Sequence, residues 1–159
     1  MLKLARTIHF DVSDQNIFSR PADSGEWAIS GGFEFSNWTD EELTGKARQA
    51  FSNGWLSLDS FGRATFVAVA KVEEAEVSEL IDGLTQHFVE IYGAPSEAVA
   101  RKIAVEEITF MHDLCADHEP NTLLVVQREL TNAGVKESFR AIQPADAEID
   151  QIAVHGSVD

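Results

Sequence analysis

Residues 63–72, RATFVAVAKV, are apolar at almost every position, so a strand built from them has no side that prefers water. A half-exposed strand alternates apolar with polar, and this one does not. It predicts a central strand covered on both sides, either by the rest of the chain or by a second subunit. The remaining segments can be read as the cover.

Near the start, Leu4, Ile8, Phe10 and Val12 fall on one face at strand spacing, with Ala5, Thr7, His9 and Asp11 opposite. A turn-rich stretch with Pro21, Asp23, Ser24 and Gly25 follows. Trp27, Ile29, Gly31, Phe33 and Phe35 then alternate with Ala28, Ser30, Gly32 and Glu34, predicting a second strand antiparallel to the first. Gly31-Gly32 marks a kink or a close backbone approach within it. Towards the end, residues 122–130 and 135–142, separated by Asn132-Ala133-Gly134, read as a closing hairpin.

Three helices lie between these strands. The first is predicted over residues 40–53, with Thr39 and Glu42 as a capping box, Trp38 and Leu43 as a hydrophobic staple, and Asn53-Gly54 as a left-handed stop. Gly45 falls inside it and weakens it. Trp55, Leu56, Leu58 and Phe61 form an apolar connection to the central strand. Val77, Leu80, Ile81, Leu84, Phe88 and Ile91 trace a second helix ending near Gly93. The third starts at Ala94-Pro95-Ser96 and runs to about Asp117. This order predicts an α+β fold, a mainly antiparallel sheet of about five strands with three helices packed largely on one face. Residues 1–143 form the single globular domain and residues 144–159 an acidic C-terminal tail.

The 159 residues suffice for one core, and ten Phe and three Trp supply large apolar area to fill it. Twelve basic against twenty-seven acidic residues leave a net charge of −15. Such a surface repels phosphate backbones and anionic headgroups, so neither nucleic acid nor membrane is an expected partner. A lone cysteine, no apolar leader and no long apolar run point to a cytoplasmic protein.

Side chains able to do chemistry crowd only into residues 106–119, EEITFMHDLCADHE. On a helical wheel, Glu107 falls near the middle of a broad apolar face, where a carboxylate needs a partner or a proton. A structural pair with Arg6, Arg63, Arg128 or Arg140, or a helix that meets solvent at that turn, is expected before a functional role, and the pair is the favoured answer. His112, Cys115 and His118 are spaced by three, which invites zinc. Yet His112 and His118 diverge by about 120° and lie about 9 Å apart along a helix axis. With no CxxC and no HExxH, no metal and no cofactor is expected. Asp113, Asp117 and Glu119 should raise the Cys115 thiol and keep it inert. Glu26 and Trp27, in the first hairpin, complete the candidate ligand or partner residues.

Residues 10–38, 45–62 and 114–129 together resemble a family of small bacterial proteins of unknown function, a likeness that extends to about Pro144. The resemblance implies one compact domain and carries no activity, cofactor or catalytic residue with it. The expectation is a non-enzymatic binding or accessory protein acting as a homodimer, resting on the doubly apolar strand and the aromatics around Trp38 and Trp55. The alternative is a small enzyme or metal-assisted catalyst using Glu107 with Cys115 and a neighbouring histidine.

Overall fold

The computed structural model describes residues 2–9, 17–35 and 41–142. The expected Phe10 and Val12 positions, the Thr39 cap, the Trp38 staple and the acidic tail lie outside them. The fold is α+β, with seven strands rather than about five. In chain order these are β1 (Leu2–Ile8), β2 (Trp27–Ile29), α1 (Gly45–Asn53), β3 (Trp55–Ser57), β4 (Arg63–Ala64), β5 (Phe66–Val72), α2 (Glu74–Glu90), α3 (Glu97–Ala116), β6 (Leu123–Thr131) and β7 (Gly134–Ile142). All pair antiparallel in one sheet of order β4-β3-β2-β1-β5-β6-β7.

Only part of the doubly apolar segment is central: Thr65 breaks it, so β5 sits between β1 and β6 while the short β4 lies at the opposite edge of the sheet, beside β3. Val67 and Val69 are buried on one side, while Phe66, Ala68 and Ala70 on the other are half-buried. Register puts Ala5, Ala28, Val67, Val69, Leu124 and Val126 on one face of the sheet. Leu4, Trp27, Ile29 and Leu56 lie on the other, and both sets belong to one core. Trp55 is also fully buried and packs against Phe139 with ring centroids 5.7 Å apart.

Two expected elements change at their boundaries. The second strand stops at Ile29, because Gly31 takes a positive φ of 74° and residues 32–35 form a 3-10 turn. A side chain at Gly31 would overlap Leu56, and one at Gly32 would overlap the Glu137 carboxylate. The glycine pair is thus a close approach. The first helix starts at Gly45, whose φ of 55° ends any helix propagating from the N-terminal side, and Thr44 is its N-cap. Gly54 follows it in extended backbone, φ −89°, so the expected left-handed stop does not form.

The second and third helices fit their sequence signals. Glu73 and Glu76 make a reciprocal capping box for α2, and the Ser96 hydroxyl accepts the Val99 amide, 3.2 Å, at the head of α3. Ile91 and Tyr92 both close the end of α2 with amides donated to its last carbonyls, and the two helices fold into an antiparallel hairpin tied by Arg101 and Asp82 at 2.7 Å. α3 lies against β1, whereas α1 stands apart from that hairpin, against β6. Among the described residues no helix is long and apolar enough to cross a membrane.

The glycines separate two kinds of backbone demand. Gly31→Ala should lose about 2 kcal/mol or more, from left-handed strain plus the overlap with Leu56. Gly83→Ala, inside α2 with nothing near a new methyl, should gain about 0.5–1 kcal/mol. Urea unfolding of the two variants checks both signs.

Candidate functional site

The α3 residues fall into a buried row and an exposed one. Ala100, Ala104, Ile108, Met111 and Cys115 face the core, whereas Val99, Ile103 and Phe110 are exposed to 41, 37 and 44 %. Glu107 lies between the two rows, about 60° from the middle of the buried one. It therefore sits at the flank of the apolar face and is half-buried. Among the described residues it makes no hydrogen bond or ion pair. Arg128, one of the expected partners, is held by Glu137 instead, with Nε donating to Oε2 at 2.7 Å. Burial, the negative charge of Glu137 and that of Glu106 push the Glu107 carboxyl up to about 7, against a weaker pull from Arg128.

Cys115 is fully buried, and burial pushes its thiol up to about 12, with Lys3 pulling the other way. The expected rise is present, but its cause is desolvation, not the neighbouring carboxylates. His112 points its Nδ1 towards Asp113 at 3.4 Å and lines a groove with Leu2, Leu4, Val77 and Ile81. His118 lies past the helix end, where its carbonyl accepts the Lys3 ammonium at 2.7 Å. Glu107 and Cys115 are eight residues apart, about 12 Å along the axis. The fold does not bring these side chains to one point, and among the described residues no three His, Cys, Asp or Glu groups converge on a metal position.

Glu26 and Trp27, adjacent in sequence, make separate contacts. Glu26 Oε1 accepts the Asp23 amide at 3.0 Å and the Ser60 hydroxyl at 2.8 Å, while its own amide donates to the Thr7 hydroxyl at 3.0 Å. It fastens the β1–β2 loop to the turn after β3. Trp27 Nε1 donates to Glu76 at 3.2 Å, and the Arg6 guanidinium lies 4.1 Å above the indole ring. Arg6, Trp27, Asp59, Glu76 and Glu79 wall a cleft of about 500 Å³. Burial, then the charge of Glu26, raises the Asp59 carboxyl.

Sequence reasoning missed two buried ion pairs. Arg63, 5 % exposed, pairs with Glu34, whose other oxygen accepts the Tyr92 hydroxyl at 2.6 Å. Arg128, 3 % exposed, pairs with Glu137, which also accepts the Ser30 hydroxyl at 2.5 Å. Burial holds Arg63 down to about 10, which leaves it charged at neutral pH, and burial lowers Arg128 as well, against the pull of Glu137. An arginine embedded in an apolar strand, as both are, is the signal that could have found them.

The Glu107 carboxyl gives a pH signature. Its folded-state value lies above the ordinary one of 4.5, so the fold prefers the protonated form. The stability that preference brings is complete below about pH 4.5 and is lost as pH rises through about 7. Glu107→Gln should match the wild type at pH 4.5 and exceed it at pH 8 by about 1–2 kcal/mol, partial exposure limiting the gain. Thermal unfolding at both values checks this, and a Gln variant destabilised at pH 8 would restore the structural pair that the sequence suggested.

No curated protein and no solved structure matches the chain. The model of one family, described only as a family of unknown function, DUF6505, matches residues 1–159, and the chain therefore belongs to that family.

Proposed function

We propose that the protein is a non-enzymatic binding protein that works as a homodimer, with α3 and the free edge of β7 as the contact between copies. One observation carries this reading. The exposed row Val99, Ile103 and Phe110 adjoins Phe139 of β7, its end ring 5.5 Å from that of Phe139. Among the described residues β7 is the last strand of the sheet, nine residues long, and its outer edge meets no strand. An open edge beside an apolar helix row is a surface that a second copy can cover about a twofold axis. Lys136 and Arg140 against Glu137 leave β7 without an acidic surplus, so a contact there adds no carboxylate repulsion to that between two chains of charge −15.

The aromatics first invoked for association contribute differently. Trp55 is sealed in the core and unavailable to a partner, and Trp38 lies outside the described residues. The enzymatic alternative has weak support: Glu107 titrates near neutrality, but Cys115 and the histidines are remote from it. The acidic surface and the single buried thiol support a cytoplasmic setting, and the resemblance implies a bacterial one.

Light scattering at tens of micromolar should give twice the chain mass, and Phe110→Glu should return it to one chain while leaving the unfolding midpoint within a few degrees. A wild-type monomer at that concentration would contradict the reading.

A further inference from the structure

Glu107 stands where the two halves of the proposed contact meet. The ring of Phe110, in the exposed row of α3, lies 5.5 Å from that of Phe139 in β7, which fixes the helix against the strand. One turn back from Phe110 along α3 is Glu107. Two residues back from Phe139, on the same face of β7, is Glu137. The two carboxyls are therefore neighbours one step along from the two rings, and the charge of Glu137 is felt at Glu107.

On the helix wheel Glu107 is about 60° from the centre of the exposed row, Val99, Ile103 and Phe110. The stripe that a helix commits to a partner is about 100° wide or more. A second copy that covers this row and reaches the β7 edge also closes over Glu107, which is already half-buried. Around it, α3 contributes Glu106, the only other charged residue within one turn, β7 contributes Glu137 and β6 contributes Arg128. Glu137 and Arg128 pair with each other, so neither supplies Glu107 with a counterion. The one histidine of α3, His112, lies about 140° around the helix from it, in the groove with Leu2 and Leu4. Glu107 is thus the charge that the contact has to bury, and an unpaired carboxylate is buried far more easily with a proton than without one.

We infer that association of two copies is coupled to a proton on Glu107: the contact closes over the neutral carboxyl and opens when it ionises. The inference rests on the proposed contact at α3 and β7. The Glu107 carboxyl titrates at about 7 before a partner covers it, and further burial moves it up, so above that pH each chain takes up a proton on association. Between pH 6 and pH 8 the dissociation constant should rise about tenfold for each chain, up to about a hundredfold for the pair.

Sedimentation velocity over a concentration series of the full chain, at both pH values and one ionic strength, reads that constant. The wild type should bind itself at least about tenfold more weakly at pH 8. Glu107→Gln, uncharged at both values, should give constants within about threefold of each other, the remainder reflecting net charge. A wild-type constant that does not change with pH, or a Gln variant with the full wild-type rise, would overturn the coupling and leave the dimer in place. A chain monomeric at pH 6 and pH 8 at tens of micromolar would overturn the contact itself, and the coupling with it.

Discussion

The carbonyl of Gly54 accepts from two buried guanidiniums at once, Arg63 Nη1 at 3.0 Å and Arg128 Nη1 at 2.9 Å. Arg128 also reaches the carbonyls of Ala50, at 3.3 Å, Phe51, at 2.9 Å, and Ser30. Arg63 reaches that of Gly31 at 3.1 Å. The last turn of α1 therefore ends on two fixed cations, which take up its free carbonyls and oppose the negative end of its dipole. The same two side chains tie α1 to the exit of β2, the entry of β3 and the far strand β6. Glu34 and Glu137 balance the charge, and the absent side chains of Gly31 and Gly32 leave room for it. Two like charges this deep would not persist without those partners, since each ion loses hydration that only good geometry restores.

That clasp also explains the path of the chain around it. Gly54 is extended because its carbonyl is claimed from the core side, so the helix ends without a left-handed residue. The 3-10 turn at residues 32–35 brings Glu34 back to Arg63 and places Phe35 beside the guanidinium. Tyr92, at the end of α2, reaches Glu34 and packs edge-on to Phe33 at 5.6 Å. A charge network thus links the short-strand side of the sheet to the helical hairpin, which apolar packing alone would leave free to slide.

Local signals made much of this fold legible. The β6–β7 hairpin, the stripe of α2 and the Ser96 cap of α3 depend on neighbours a few residues apart, and periodicity reports such contacts directly. β3 reads as part of an apolar connection and β4 as the start of the central strand, because three and two residues are too short to show a period of their own. The start of α1 was misplaced because a capping-box pattern at Thr39 and Glu42 competes with a glycine whose φ only the folded chain reveals. The site was less legible for a related reason. A wheel shows which residues share a side of α3 but not where the buried sector is centred, and the 60° difference moves Glu107 from the core to its flank. Glu34 and Arg63 are 29 residues apart and Ser30 and Arg128 are 98, distances at which sequence pattern carries no pairing information.

The most direct test of the clasp is the equilibrium stability of Arg128→Met and Arg128→Lys, measured by denaturant unfolding at pH 7. The account predicts a loss of about 3–5 kcal/mol for Met, which leaves Glu137 without its cation and takes one donor from each of four carbonyls. It predicts a loss of most of that amount for Lys, because an ammonium keeps the charge but cannot span carbonyls on three elements together with a carboxylate. A Met variant as stable as the wild type, or a Lys variant indistinguishable from it, would contradict the claim that the fold is organised around these two guanidiniums.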